Sequence, residues 1–131
     1  MNTSTHTVSL TASKDKAFAF LAEIENLPRW ATMFCRELKR DDSGVHRVVT
    51  PNGEILFRID ADPATGVIDM YGGPTEEQMA YWPARVVERP GAGCLFIFTA
   101  FQYPGVPDEE FAAQCDGIEH EFPNISRLMD G

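Results

Sequence analysis

Between residues 107 and 129 apolar side chains return at the period of a helix. Phe111, Cys115, Ile118, Phe122, Ile125 and Met129 stand at intervals of four, three, four, three and four. Such spacing places all six on one stripe of a long helix. Asp108, Glu109, Asp116, Glu119, His120 and Glu121 are read as the opposite, water-facing side. Helices of this kind owe most of their stability to burial of the apolar face, so the upstream chain has to supply a surface for the stripe.

That upstream chain reads mainly as strands. Residues 7–11 alternate, with Val8 and Leu10 on one face. Ser13 then offers a helix N-cap, and Ala17, Phe18, Leu21 and Ile24 follow at helical spacing. Pro28, tolerated in a first helical turn, opens a second short helix that carries Arg29 and Trp30. Strands are expected over 34–40, 45–50, 54–61, 67–71, 79–88 and 94–103, separated by Gly-, Pro-, Asn- and Asp-bearing turns. One of those breaks is Gly72-Gly73-Pro74-Thr75, and Asn52-Gly53 signals a tight hairpin.

Parity within the strands sorts their faces. Ile55, Phe57 and Ile59 point one way, Ile68 and Met70 point inward with Asp69 outward, and Trp82, Ala84 and Val86 share a face. Pro83 cannot donate to a ladder and marks a bulge or an unpaired position. The 94–103 strand is apolar on both faces. Gln102 continues the row of Phe96 and Phe98, so that row is read as outward and Leu95, Ile97, Thr99 and Phe101 as inward. An outward Phe96 and Phe98 would form a protein contact, and a homodimer through that face is the expectation.

Bulk properties bound the function. A chain of 131 residues suits one domain, 1–131. Eleven basic against twenty acidic residues leave a net charge of -9, which disfavours nucleic acid and anionic membranes as partners. Cys35, Cys94 and Cys115 are odd in number and lie in apolar surroundings, as reduced thiols do. The first residues do not resemble a secretion signal, and no run approaches the ~18 apolar residues of a membrane helix, so a cytoplasmic location is expected. His6 sits at a strand end expected to fray, His46 in a short strand, and His120 on the wet face of the helix. Asp116 and His120 share i, i+4 geometry but lack further ligands, Cys115 has no neighbouring base, and no Gly-rich phosphate loop occurs. Neither a metal nor a cofactor is expected.

The run from Val8 to Trp30 has a strand, a Ser-capped helix with Phe18 and Leu21, and then Glu25-Asn26-Leu27-Pro28-Arg29-Trp30. It resembles the START-related helix-grip superfamily, also called SRPBCC or polyketide cyclase/dehydrase-like and including the Bet v 1 allergens. A similar acidic-Asn-x-x-x-Trp signature is common there, and the order of the remaining elements also fits. The resemblance implies an α+β helix-grip fold: a curved seven-stranded antiparallel sheet wrapped around the C-terminal helix, with two short helices between strands 1 and 2. It also implies a hydrophobic cavity between sheet and helix, where members bind lipids, sterols, polyketides or plant hormones and some catalyse cyclisation, aromatisation or condensation.

Joined to the parity assignments, this makes Trp30, Ile55, Phe57, Ile59, Met70, Trp82, Ile97, Thr99, Phe101, Phe111, Cys115 and Ile118 the candidate ligand-binding residues. Three functions are compatible with the sequence. The first is a non-catalytic carrier or sensor of a small hydrophobic molecule such as a lipid, a sterol or an aromatic polyketide. The second is a cyclase or aromatase, which needs an inward Arg36, Tyr71, Tyr81 or Asp69 as acid, base or anchor. The third is a protein-interaction module with a filled core that meets its partner through Phe96 and Phe98 or the acidic helix face.

Overall fold

A computed structural model describes residues 1–131. The chain runs β1 (Thr3–Leu10), α1 (Lys14–Leu21), a 3-10 turn (Ile24–Asn26), α2 (Leu27–Trp30), β2 (Glu37–Arg40), β3 (His46–Thr50), β4 (Gly53–Asp62), β5 (Val67–Thr75), β6 (Gln78–Trp82), β7 (Ala84–Glu88), β8 (Cys94–Phe101) and α3 (Asp108–Asp130). The Ser13 hydroxyl accepts the Lys16 N–H at 3.1 Å and starts α1. Pro28 occupies the first turn of α2. The expected α+β architecture is present: a curved antiparallel sheet with a long C-terminal helix and two short helices between the first two strands.

The sheet has eight strands, in the order β1-β8-β7-β5-β4-β3-β2, with β6 also on β5. Pro83 is the reason for eight rather than seven, because it divides the segment read as one strand into β6 and β7. Its carbonyl still accepts the Thr99 N–H at 3.0 Å, which keeps the break on the sheet. β5 also departs from expectation, passing through Gly72, Gly73 and Pro74 instead of ending before them. The glycines serve close approach here, not chain reversal. A Cβ on Gly72 would stand 2.9 Å from a Phe57 ring carbon and 3.2 Å from a Trp82 ring carbon. On Gly73 it would stand 2.0 Å from the Gln78 carbonyl oxygen.

The faces of β8 are the reverse of the expectation. Cys94, Phe96, Phe98 and Ala100 are buried, and Leu95, Ile97, Thr99 and Phe101 are half-exposed on the other side. Phe96 and Phe98 are therefore core residues, and they cannot form the outer dimer surface assigned to them. Gln102 misled the parity argument because it lies past the end of β8 and serves the turn into α3. Its amide group donates to the Val106 carbonyl at 2.9 Å and to Asp108 at 2.8 Å, and accepts from Asn2 at 2.7 Å.

With this parity the concave face can seat α3. Phe122 packs with ring centroids 5.6 Å from Phe96, 6.1 Å from Phe98 and 6.3 Å from Trp30. Aromatic contacts at these separations add to the burial of large apolar rings. Polar contacts hold the helix along its length. The Asp130 carboxylate accepts the N–H groups of Thr11 and Ala12 at 2.9 and 3.0 Å, and Lys16 donates to the Met129 carbonyl at 3.0 Å. Asn124 donates to the Trp30 carbonyl at 3.1 Å. Further back, His6 is buried on β1, where its Nδ1 meets Glu119 and its Nε2 lies 2.9 Å from the Ser4 hydroxyl. The N-terminal strand is thus paired with β8 from Thr3 onward and is not the frayed end expected for His6.

The two rows of β8 predict opposite responses to truncation. Phe96→Ala should lower unfolding stability by about 3–5 kcal/mol, whereas Leu95→Ala should cost at most about 1.5 kcal/mol. Urea denaturation of both variants checks this, and equal losses or the reverse order would contradict the assignment.

Candidate functional site

Between α3 and the concave sheet the packing is incomplete, and a cavity of about 430 Å³ remains. Two aromatic groups bound it. Trp30, Phe98 and Phe122 stand on one side, continuous with the cluster that seats the helix. Phe34, Phe57 and Trp82 form the other, with centroid separations of 5.6, 5.9 and 6.2 Å. Leu27, Ala31 and Met70 complete the buried apolar lining. Gly72 behind Phe57 and Trp82 is what lets those rings lie against β5.

The mouth is made of exposed residues from three places: Met33 and Arg36 after α2, Pro51 and Asn52 at the tip of the β3–β4 hairpin, and Glu110, Ala113 and Gln114 on α3. The hairpin follows from local chemistry. Thr50 pairs with Gly53, which adopts φ +124°, and the Thr50 hydroxyl donates to the Gly53 carbonyl at 2.7 Å. Arg36 Nε donates to the Met33 carbonyl at 3.2 Å, and no carboxylate is within ion-pair distance of its guanidinium.

Of the twelve candidate residues, Trp30, Phe57, Met70, Trp82 and Ile118 line the cavity. Ile55 and Ile59 pack partly buried against the same core but stay off the wall. Phe111 is buried and Cys115 half-buried on α3, and neither lines the cavity. Ile97, Thr99 and Phe101 are on the opposite face of the sheet, for the reason given for β8. Tyr71, Tyr81 and Asp69 are also on that convex face, as strand parity indicates. The Tyr rings stack at 5.0 Å, Arg58 lies 4.3 Å over Tyr71, and the Tyr81 hydroxyl donates to Asp69 at 3.0 Å. Burial and that hydrogen bond push the Tyr81 hydroxyl up to about 12.

Glu121 is the residue that sequence reading misplaced. Its charge points to water, yet it is 4% exposed and lines the cavity. Its Oε2 accepts the consecutive N–H groups of Met33 and Phe34 at 3.0 and 2.9 Å, tying the loop after α2 to α3. A usable signal was present: Glu121 follows Ile118 by three residues and precedes Ile125 by four, the spacing of the apolar stripe itself. Burial raises its carboxyl above the usual range, and the two N–H bonds oppose that only in part. The Cys35 thiol, buried and under the influence of Glu121, is pushed up to about 11 and stays neutral.

No protein-family model matches the sequence, and no curated protein matches it. Solved structures do. Protein XoxI from Bacillus cereus superposes with a TM-score of 0.75 at 16% identity, covering 98% of this chain and 96% of that one. A START superfamily protein from Mycobacterium smegmatis does so with a TM-score of 0.67 at 14% identity over 98% of this chain and 97% of its own. The fold is the START-like helix grip. The di-domain ARO/CYC protein BexL also carries it, with a TM-score of 0.65 and 16% identity; the match covers 97% of this chain and 46% of BexL. In this chain the cavity lies between the sheet and its C-terminal helix.

The raised carboxyl makes a signed prediction. The folded state holds the Glu121 proton to higher pH than the unfolded chain, so ionisation weakens folding as pH rises through and above 4.5, its ordinary value. Glu121→Gln removes that titration. The stability of the variant relative to wild type should therefore increase as pH is raised through this window, measured by urea denaturation at several pH values. A difference independent of pH would contradict the assignment.

Proposed function

We propose that this protein is a non-catalytic carrier or sensor that holds a small, largely apolar molecule between its sheet and α3. The observation that carries this reading is the cavity of about 430 Å³ walled by two groups of aromatic side chains. Pockets that take small ligands are generally of this size, mostly apolar, with a few placed polar groups. Here those are Glu121 within the cavity and Arg36 and Glu110 at its mouth. Lipids, sterols and aromatic polyketides are the ligand classes that fit such a lining.

A cyclase or aromatase reading is brought by the likeness to BexL, a di-domain ARO/CYC protein. It is less well supported. Tyr71, Tyr81 and Asp69 are on the convex face, which leaves Arg36, Glu110 and Glu121 as the ionisable groups a reaction could use. An open interior also gives the filled-core interaction module less support than the carrier.

Gly117 offers a clean test. It lies on α3 at the cavity wall, and a Cβ added there meets nothing within 4 Å. Gly117→Phe should therefore fill the cavity without disturbing the fold, and replacing a helical glycine favours the helix by up to about 1 kcal/mol. In a thermal-shift screen of fatty acids, sterols, flavonoids and aromatic polyketides, a ligand at 100 times its Kd should stabilise wild type by about 2.7 kcal/mol, a rise of several degrees. The Gly117→Phe variant should melt no lower than wild type and show no shift. Absence of any shift in wild type, or an equal shift in the variant, would contradict ligand binding in the cavity.

A further inference from the structure

Both hydrogen bonds to the Glu121 side chain use Oε2, and Oε1 has no partner in the protein. A side chain 96% buried seldom leaves a carboxylate oxygen unused, because desolvation without compensation is costly. No fully buried side-chain nitrogen or oxygen in this protein lacks a hydrogen bond, so Oε1 keeps contact with open space. The open space that Glu121 borders is the cavity. Two N–H donors on Oε2 oppose the effect of burial and fix the group, leaving Oε1, once ionised, as a preset acceptor in a largely apolar chamber.

The same loop joins this acceptor to the aromatic wall. The backbone N–H of Phe34 holds Glu121, while its ring lies 5.6 Å from Phe57 and 5.9 Å from Trp82. Resting on the ligand-binding reading above, we infer that Glu121 Oε1 selects an aromatic ligand with a hydroxyl at its buried end, the ring taken by the Phe34, Phe57 and Trp82 wall and the O–H donated to the carboxylate. Glu121 is then a specificity-determining residue. An ether or bare hydrocarbon of the same shape would leave the carboxylate unpaired, and a site that hydrogen-bonds a hydroxyl discriminates strongly against the analogue lacking it.

Two probes of nearly equal shape separate these cases: 2-naphthol, which donates, and 2-methoxynaphthalene, which cannot. In fluorescence titrations at neutral pH, wild type should bind 2-naphthol at least about 10-fold more tightly, against the order of their hydrophobicities. In Glu121→Gln the side-chain carbonyl can keep the two backbone donors and turn the amide N–H groups to the cavity. The preference should then fall below about 2-fold or reverse. Wild-type affinities within about 2-fold of each other, or a Glu121→Gln variant that keeps the wild-type preference, would overturn the inference. The wild-type pair decides the matter even where the variant does not fold. Equal binding of both probes would remove the role of Glu121 and leave the cavity reading standing, whereas binding of neither would overturn the selection of an aromatic ligand and leave the cavity reading to the thermal-shift screen.

Discussion

The seating of Phe122 is the contact on which the rest of the structure depends. Its ring is held by Phe96 and Phe98 from β8 and by Trp30 from α2, so one side chain ties the C-terminal helix to the sheet and to the short helices together. Where this cluster packs, the interior is solid. Farther along the groove the second aromatic group, Phe34, Phe57 and Trp82, lies against the sheet without an equivalent plug from α3, and there the helix presents Gly117 and Ile118. The cavity is the direct result of placing a large residue at 122 and a missing side chain at 117.

Polar contacts set how firmly the helix closes over that space. Asp130 is bonded to the β1–α1 turn, Lys16 reaches the last turn of α3, and Glu121 gathers the loop after α2. Burial acts to raise the Asp130 carboxyl, but the Thr11 and Ala12 N–H groups, the Thr11 hydroxyl and nearby Lys16 together hold it below the usual range. Its contribution to stability is present above that range and is lost on acidification, opposite in sign to Glu121. The latch at the end of α3 and the carboxyl inside the cavity therefore respond to pH in opposite directions.

The architecture was legible because its determinants are local and periodic. The Phe111 to Met129 stripe, the Ser13 cap, Pro28 and the alternation of β4 and β5 act within a few residues. Strand parity turns Phe57, Met70 and Trp82 to the concave side and keeps Tyr71, Tyr81 and Asp69 off it. β8 was not legible, because both of its rows are apolar and its polar neighbour Gln102 answers to a turn rather than to solvent. Gly72 and Gly73 read as a break because glycine marks turns as well as close approach, and only the tertiary neighbours Phe57, Trp82 and Gln78 decide between them. Glu121 is lost by weighting charge over spacing, and His6 by taking the start of β1 for a fraying end. Each lies at the period of its element's buried face, Glu121 with Ile118 and Ile125, and His6 with Val8 and Leu10.

The protein has two tryptophans, Trp30 and Trp82, and both line the cavity. Energy transfer from them to the neutral apolar dye N-phenyl-1-naphthylamine therefore tests the existence of an enterable cavity most directly. Saturable transfer at one dye per chain is expected, retained from the remaining tryptophan in Trp30→Phe and in Trp82→Phe. Transfer that fails to saturate, or none from the native protein, would contradict such a cavity.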